Sequence, residues 1–396
     1  MLKTTAFHER TAPLCVSHAW RRWAGYIVAS SYELQHDREY HAIRGSAALI
    51  DISPLYKYEI RGRDAAPLLD RTVTRHVGRA AVGQVLYTPW CDAAGKVLDD
   101  GTVARLDDRV FRLTAADPNL AWLEANATGL EVEIRDVSES TAALALQGPR
   151  SRDILREACD AGLPPLKYFQ IAAATLRGTP VTISRTGYTG DLGYEIWLDA
   201  RHALAVWDAL IEVGTGYGIT PAGILALDVA RIEAGLMLLD VDYVSARKAM
   251  REGQTSSPFE LALGWTVALD KERFVGRDAL AREAERGPAW EFAGIEVDWD
   301  SLERLYANEG LAPRLPATAW RTSVPVYADD GAQIGYATSG CWSPLLKKYI
   351  ALAHLRSRWA KPGTAVEMEV TVEHVRRRAA ARVVKKPFFD PERKRA

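Results

Sequence analysis

The amino-acid sequence predicts an α+β protein whose last third is a separate all-β unit. Up to about residue 285, stretches with strand alternation and stretches with helical spacing follow one another without a repeated βαβ period, which favours α+β over a doubly wound fold. Beyond that point the pattern changes to short strands with turn signals, typical of a small barrel or sandwich. A chain of 396 residues is long enough for two or three domains with a buried core.

Composition and charge exclude several classes of function. The 50 basic and 51 acidic side chains nearly cancel, so a general attraction to nucleic acid or to an acidic membrane surface is not expected. The basic residues between 376 and 395 are interpreted as a solvated terminal strand. The four cysteines are scattered without a CxxC pair and no apolar run reaches membrane length, so we expect a cytoplasmic protein without a metal site.

The first half of the chain divides into alternating elements. Residues 31–48 have helical spacing of apolar side chains, and residues 49–62 alternate like a strand that Pro54 interrupts. A short helix is expected next. The stretch QVLYTPWCDAAGKVLDDGTVARL, residues 84–106, then predicts a hairpin whose turn is DAAG. Two further strands are predicted at 109–116 and 130–138.

The middle of the chain adds a second set of strands and helices. TAALALQGP predicts a strand that ends at Gly-Pro, and SRDILREAC predicts a helix. A strand pair at 171–187 follows. HALAVWDALIEVGTGYG is an amphipathic helix that ends at glycines, and ALDVARIEAGLML is a second helix. Beyond residue 285, five short strands and a last one precede the C-terminus, and residues 299–320 are interpreted as an ordered insertion between two strands.

The stretch SRTGYTGDLGYEIW, residues 184–197, combines alternation with three glycines. This pattern predicts two strands joined by a tight turn around residues 189–193, with Tyr188 and Glu195 close to the turn. A tyrosine offers a flat face and a hydrogen-bonding tip, and a carboxylate accepts two parallel N–H bonds. Such a pair suits a planar heterocycle with an amino-amidine edge, for example a pterin, although core tyrosines are common.

Asp99 and Asp100 lie together in KVLDDG. Successive strand residues face opposite sides, so only one of the two can face a cleft. A carboxylate in a site of low dielectric can hold a cationic nitrogen, although a pair of aspartates near a turn is also a common structural feature. Tyr87 lies thirteen residues before Asp100, on the facing strand of the predicted hairpin. Neither GxGxxG nor GxxxxGK[ST] occurs, so nucleotide sites of those types are not supported.

Ten stretches resemble the glycine-cleavage T-protein (aminomethyltransferase) family, and together they cover nearly the whole chain. They are LIDIS (49–53), GQVLYT (83–88), GKVLDD (95–100), ALQGP (145–149), SRTGYTGDLGYEI (184–196), PAG with ALDVARIEAG (221–235), SPFELALGW (257–265), FVGRDAL (274–280), ATSGCWSP (337–344) and VVKKPF (383–388). The resemblance implies a three-domain, cloverleaf-like α+β fold with a central folate cavity and a C-terminal β-barrel. Residues 1–284 would then form a folate-binding region of two interleaved subdomains, and residues 285–396 the barrel domain, with its insertion at about 299–320.

The resemblance also implies tetrahydrofolate as the cofactor and assigns site residues. In the family, the tyrosine and glutamate of the GYTG-x-x-G-[FY]-E element contact the pterin, which here are Tyr188 and Glu195. The family aspartate close to the reactive folate nitrogens matches Asp100, for which we expect the electrostatic and proton-handling role. Tyr87 matches a tyrosine that lines the cavity.

Other positions match the family less closely. Thr114 and Asp117 stand where asparagines usually help to hold the folate, and an aspartate at this position lacks the amide donors. The family sequence ARD-x-x-R-L-E-A has become ALDVARIEA, so Leu227 replaces an arginine while Arg231 remains as a predicted cofactor contact. The segments DISPLYK and LLDVDYVSA also depart from the family pattern, and the insertion is absent from ordinary T-proteins.

These departures leave several functions open within the family. The first is transfer of a methyl or aminomethyl group from a small-molecule donor to tetrahydrofolate, as in the demethylase branch. The second is a true T-protein, which acts on lipoylated H-protein. A third possibility is a folate-binding protein without transferase activity, like the relatives that act in tRNA modification and iron-sulfur assembly. Those relatives carry a KGC[FY]xGQE motif, and the matching region here is KAMREGQTSSPFE, without the cysteine. The last possibility is the folate-binding half of a sarcosine-oxidising or dimethylglycine-oxidising enzyme. Such an enzyme needs a flavin-binding partner or domain, and this chain contains no Rossmann fingerprint. We favour the divergent transferase because the pterin motif is kept while the segments around it have changed.

Overall fold

The computed structural model describes residues 2–396 as a succession of short strands and helices. In chain order the strands are β1 Lys3–Thr4, β2 Trp20–Trp23, β3 Tyr26–Ala29, β4 Ala47–Asp51, β5 Tyr56–Arg61, β6 Val85–Cys91, β7 Val97–Asp107, β8 Val110–Ala115, β9 Glu133–Asp136, β10 Thr141–Gln147, β11 Ile171–Leu176, β12 Thr179–Ser184, β13 Gly193–Asp199, β14 Ile219–Pro221, β15 Trp290–Val297, β16 Val324–Tyr327, β17 Gln333–Ser343, β18 Lys348–Arg356, β19 Ala365–Val372 and β20 Val375–Val384. The α-helices are α1 His8–Thr11, α2 Asp37–Gly45, α3 Ala65–Thr72, α4 Leu120–Asn126, α5 Ser151–Ala158, α6 Ala203–Gly214, α7 Ile224–Glu233, α8 Arg277–Arg286 and α9 Trp299–Ala307.

Three sheets form the first two thirds of the chain, and the smallest has the strand order β1-β3-β2. A six-stranded sheet has the order β11-β12-β13-β10-β4-β14, and a five-stranded antiparallel sheet has the order β6-β7-β8-β5-β9. Apolar side chains such as Leu144, Ile196 and Trp207 bury one face of the six-stranded sheet against α5 and α6. Tyr58 and Trp90 belong to the core of the five-stranded sheet. Some consecutive strands, such as β4 and β5, therefore belong to different sheets. This arrangement agrees with the predicted α+β class and explains why the sequence has no βαβ period.

The last third forms a closed barrel of the strands β15-β18-β17-β16-β19-β20, as the strand spacing predicts. Within the insertion, α9 packs against β20, and Trp320 exchanges backbone hydrogen bonds with Gly340 of β17. A Cβ atom on Gly340 would lie 2.3 Å from the indole of Trp320, so only glycine allows this approach. The insertion is thus ordered by the barrel itself. The division of the chain at residue 284 stays a prediction.

The helix predicted at 31–48 and the strand predicted at 49–62 have different bounds in the structure. The helix predicted at 31–48 begins only at Asp37, because the Glu39 carboxylate accepts hydrogen bonds from the backbone N–H groups of Tyr32 and Glu33, at 2.7 and 3.0 Å, and holds them outside the helix. The strand predicted at 49–62 is divided into β4 and β5. These two strands belong to different sheets, so the interruption at Pro54 is a crossing between the two sheets.

The tight turn predicted at residues 189–193 is wrong. Strands β12 and β13 pair as predicted, with Ser184 opposite Glu195, but the connection is an eight-residue loop at 185–192. The buried side chain of Gln147 fills this loop. Its amide donates to the carbonyls of Thr186 and Tyr194, both at 3.3 Å, and its oxygen accepts from the Thr189 hydroxyl at 2.8 Å. The alternation of apolar side chains carries no information about this distant partner.

Candidate functional site

The hairpin of β6 and β7 carries the first pair of predicted site residues. Tyr87 on β6 donates a hydrogen bond from its hydroxyl to Asp100 Oδ2 on β7, at 2.8 Å. Asp100 is half-buried, whereas Asp99 is fully buried on the opposite face, as strand alternation predicts. The hairpin therefore holds one carboxylate and one phenol together, on the face opposite Asp99.

The carboxylate of Asp99 is bonded by amide groups of the fold. Its carboxylate accepts hydrogen bonds from the Asn119 side-chain amide at 2.8 Å and from the backbone N–H groups of Asp117 and Asp100, at 2.9 and 2.8 Å. Burial and the neighbouring charge of Asp100 raise the pKa of Asp99 to about 8. All these partners lie within the sheet and the loop after β8, so Asp99 anchors that loop.

Tyr243 is the site residue that sequence reasoning missed. It lies in the segment after α7, it is buried, and its hydroxyl donates a hydrogen bond to Asp100 Oδ1. Asp100 is thus held by a phenol on each carboxylate oxygen. Burial raises the pKa of Asp100, and the hydrogen bonds from Tyr243 and Tyr87 act in the opposite direction. The only sequence signal was the altered segment LLDVDYVSA, and nothing in its spacing pointed to Asp100.

The segment that carries Tyr243 is fixed by the buried carboxylate of Asp242. One oxygen of Asp242 accepts from the hydroxyls of Thr338 and Ser339 on β17, at 2.5 and 2.7 Å. The other accepts from the Leu238 backbone N–H at 2.9 Å and forms an ion pair with Arg231. Because Asp242 and Tyr243 are adjacent, the barrel strand β17 positions a group that contacts Asp100.

Arg231 of α7 is fully buried in the same network. Its Nε lies 3.3 Å from Asp228 Oδ1, and its Nη1 contacts Asp242 and the carbonyl of Leu236. Within residues 2–396 its Nη2 atom has no hydrogen-bond partner although it is buried. A buried guanidinium N–H without a partner is costly, which makes it a candidate contact for a bound molecule.

The loop 185–192 and strand β13 carry the second predicted pair. The hydroxyl of Tyr188 donates to the backbone carbonyl of Met237, and the ring remains half-buried. Glu195 accepts a hydrogen bond from the Thr186 hydroxyl at 2.7 Å. Burial raises the pKa of Glu195, and this hydrogen bond together with the positive charge of Arg112 acts against the rise. Both predicted pterin contacts are therefore half-buried polar side chains that already have hydrogen-bond partners within the protein.

The structure brings some predicted site residues together and leaves others apart. Tyr87 bonds Asp100 directly, and Tyr87 and Tyr188 both pack against the same apolar core. Burial raises the pKa of both tyrosines. Thr114 instead pairs with the hydroxyl of Thr102 at 2.7 Å. Asp117 lies 2.6 Å from the ammonium of Lys248. For these two residues a contact with folate stays a prediction.

Comparisons with known proteins identify the family and the fold of the chain. The model of the GCVT N-terminal domain matches residues 4–271, and the model of the glycine cleavage T-protein C-terminal barrel domain matches residues 310–390. The chain belongs to the glycine-cleavage T-protein family. The three-unit architecture with its C-terminal barrel is also that of a crystal structure of glycine cleavage system aminomethyltransferase T from Bartonella henselae, with a TM-score of 0.82, 26% identity and coverage of 98% of this chain and 99% of that one. The predicted fold class is thereby confirmed.

Relatives within the glycine-cleavage T-protein family carry different names. An aminomethyltransferase of Halothermothrix orenii is 34% identical over 398 residues, which cover 98% of this chain and all of the relative. A trimethylamine-oxide aldolase of Ruegeria pomeroyi is 34% identical over 409 residues, which cover 100% of this chain. The chain spans 48% of that second relative's length. Family membership therefore leaves the donor of the one-carbon unit unresolved.

Further features bear on possible partners. The arginines of β20 lie beside acidic side chains, for example Arg377 at 2.7 Å from Glu309 and Arg382 at 2.6 Å from Glu296, so this basic stretch is locally neutralised. Among residues 2–396, no helix is both long and apolar enough to cross a bilayer. The same residues contain no group of three or more histidine, cysteine or acidic side chains arranged to hold a metal ion.

Proposed function

We propose that this protein is a tetrahydrofolate-dependent transferase that moves a methyl or aminomethyl unit from a donor to tetrahydrofolate. The observation that carries the proposal is the half-buried carboxylate of Asp100, which accepts a hydrogen bond from the hydroxyl of Tyr87 on one oxygen and from that of Tyr243 on the other. A carboxylate fixed in this way is pre-organised for stabilising positive charge and for handling a proton.

The residues around this carboxylate fit a pterin. Tyr188 offers a flat apolar face, and Glu195 offers a carboxylate that can accept N–H bonds from an amino-amidine edge. The buried Nη2 of Arg231 lacks a partner and can donate to a carbonyl of the bound molecule. These three groups would hold the cofactor, with Tyr87 lining the same cavity.

Bound tetrahydrofolate would supply the nitrogen that accepts the one-carbon unit. Asp100 then has two tasks that follow from its surroundings. As an anion it stabilises positive charge on a nitrogen in the cavity, and its half-buried position strengthens this effect because water screens it less than at the surface. As a base it accepts a proton, while the two phenols keep its oxygens fixed.

We propose a small methylated molecule as the donor. Leu227 of α7 is buried in the apolar core and cannot make the charged contacts of the family arginine. Tyr243, in the altered segment after α7, donates a hydrogen bond to Asp100. Helix α9 of the insertion packs against β20 of the barrel. The relative named as a trimethylamine-oxide aldolase covers the whole chain and supports this choice.

The alternative is transfer from lipoylated H-protein, as in a true T-protein. The relative named as an aminomethyltransferase in Halothermothrix orenii is matched over its full length, and this match supports the alternative. The two donors differ in kind, because one is a protein-bound aminomethyl group and the other is a free small molecule. The reactions with the two donors therefore convert tetrahydrofolate into different products.

The deciding experiment supplies the purified protein with tetrahydrofolate and one donor at a time. One reaction contains aminomethylated, lipoylated H-protein, and the others contain methylated amines, ethers or thioethers. We expect a folate product with at least one small donor and little with H-protein. Brisk formation of methylenetetrahydrofolate from H-protein would overturn the small-donor proposal. The Asp100→Asn variant is the control for product formed without the enzyme's carboxylate.

A further inference from the structure

The segment that follows the barrel contacts the loop 185–192. This segment, residues 385–396, begins directly after β20 and is called the C-terminal segment below. Nε and Nη2 of Arg393 donate to the two carboxylate oxygens of Asp191, at 2.6 and 2.8 Å. Two parallel N–H bonds of this kind fix a carboxylate in direction as well as in distance. The C-terminal segment therefore joins the barrel to the loop that carries Tyr188.

The carboxylate of Asp191 has Arg393 as its closest cationic partner. The Asp191 side chain is fully buried, whereas the Arg393 side chain is 41% exposed. Arg44 of α2 also has its Nη1 3.5 Å from Asp191, but its Nε and Nη2 donate to Glu233 at 3.0 and 2.6 Å. The charge of Arg44 is thus shared with a nearer carboxylate. Because a buried carboxylate is costly without a paired cation, Asp191 depends on Arg393 to stay in its place.

Further contacts order the same junction. The centre of the Phe389 ring lies 4.5 Å from the guanidinium carbon of Arg44 and 5.9 Å from that of Arg393. These cation–π contacts hold both guanidinium groups against the C-terminal segment. From the loop, Arg185 Nη2 donates to the backbone carbonyl of Lys394 at 3.1 Å. The C-terminal segment therefore contacts the loop near both of its ends.

Tyr188 lies between these two contacts. Arg185 and Asp191 flank it in the loop, and its own hydroxyl donates to the backbone carbonyl of Met237. The hydroxyl fixes the tip of the side chain, so the backbone of the loop determines where the base of the ring lies. A shift of the loop backbone would therefore change the angle of the ring.

We propose that Arg393 is a positioning residue, which fixes the loop 185–192 through Asp191 and thereby orients the ring of Tyr188 for the pterin. This inference rests on the proposed function, because the pterin is the molecule that the ring would contact. The contact between Arg393 and Asp191 does not depend on a bound pterin. The fixing of the loop and the orientation of the ring can therefore be measured separately.

Hydrogen exchange of the full chain, with no pterin added, measures the fixing of the loop. We expect Arg393→Gln to speed the exchange of backbone N–H groups in residues 185–192 by about tenfold, as for the loss of a charged contact that is partly open to solvent. The N–H groups of the β6–β7 hairpin should exchange at their normal rate, because the opening is local. Unchanged exchange in the loop would overturn the proposal.

Calorimetric titration with 6-methyltetrahydropterin and steady-state kinetics measure the orientation of the ring. We expect Arg393→Gln to weaken the affinity for this pterin by about tenfold and to raise the KM for tetrahydrofolate similarly. The kcat should stay within about twofold, because Asp100 lies on another strand and only binding is affected. Arg393→Lys keeps the charge without the two parallel N–H bonds, so it should restore part of the affinity.

A matched control and a double variant complete the design. Arg395→Gln removes a neighbouring arginine that pairs with Asp390 at 3.0 Å, so exchange in the loop and pterin affinity should both stay unchanged. The double variant Arg393→Gln/Asp191→Asn should lose no more affinity than the weaker of the two single variants, because both changes break one contact. Additive losses, or a less stable Arg393→Gln variant with unchanged pterin affinity, would overturn the positioning role. If the unaltered chain bound no 6-methyltetrahydropterin, the proposed function itself would be contradicted, and with it the role of Arg393 toward the pterin, even where the exchange result held.

Discussion

Asp99 and Asp100 are adjacent on one strand, but their carboxylates have different hydrogen-bond partners. Asp99 is fully buried and accepts hydrogen bonds from amide groups of the fold, whereas Asp100 is half-buried and accepts hydrogen bonds from two phenols. The sequence could place them on opposite faces of the strand. It could not tell that Tyr243 would contact the face that carries Asp100, because that contact depends on a distant segment held by the barrel.

Asp100→Asn should separate binding from turnover. The amide is nearly the same size as the carboxylate, so the proposed pterin contacts of Tyr188 and Glu195 should remain, but the negative charge and the proton acceptor are lost. We expect turnover to fall by about 10²-fold to 10⁴-fold with a nearly unchanged dissociation constant for tetrahydrofolate. Single-turnover kinetics and calorimetry measure the two quantities. Unchanged turnover would move the catalytic role to another residue.

Tyr243→Phe should change the pH dependence of the reaction. Its hydroxyl donates to Asp100 and so favours the ionised form. Loss of this bond raises the pKa of Asp100, so the acidic limb of kcat/KM should move to higher pH by about 1 unit. Tyr87→Phe should shift it in the same direction. Tyr217→Phe is the control, because Tyr217 bonds Glu157 at an exposed site. An acidic limb that stays in place would mean that Tyr243 only packs against the site.

At the scale of elements, the sequence predicted the existence of most strands and helices but not the loop that carries Tyr188. The hairpin of β6 and β7, its turn at Asp92–Gly95 and the C-terminal barrel followed from local alternation and turn residues. The loop 185–192 depends on Gln147, which is about forty residues away in the chain. Local patterns contain no information about such a partner. The same reason explains why Tyr243 was missed.

Gly187→Ala tests this dependence on Gln147. A Cβ atom on Gly187 would lie 2.1 Å from Gln147 Oε1, so the buried amide would have to move. We expect the free energy of unfolding to fall by about 1–3 kcal/mol as its hydrogen bonds are lost. Folate affinity should fall as well, because Tyr188 follows directly in the loop. Gly216→Ala is the control, since nothing lies within 4 Å of its added Cβ. Equal effects of the two changes in urea unfolding would contradict the role of Gln147.

At the scale of the whole molecule, the barrel is connected to Asp100, the proposed catalytic residue, through the buried carboxylate of Asp242. Asp242 accepts hydrogen bonds from Thr338 and Ser339 of β17, and the adjacent Tyr243 donates to Asp100 of β7. His354 of β18 also donates to the backbone carbonyl of Asp242, at 2.6 Å. The resemblance to the family predicted three units around a cavity. It could not predict this connection, because its residues come from three separate parts of the chain.

Asp242→Asn should therefore affect stability and catalysis together. The change leaves the buried guanidinium of Arg231 without its closest carboxylate, so the free energy of unfolding should fall by about 3–5 kcal/mol. Turnover should fall too, with the acidic limb displaced to higher pH, because Tyr243 is no longer held against Asp100. Thr338→Val removes a single hydrogen bond from the same carboxylate and should cost only about 1 kcal/mol. Urea unfolding followed by fluorescence, together with the pH profile of kcat/KM, measures both effects. A destabilised Asp242→Asn variant with an unchanged pH profile would show that the barrel supports the fold without positioning Tyr243.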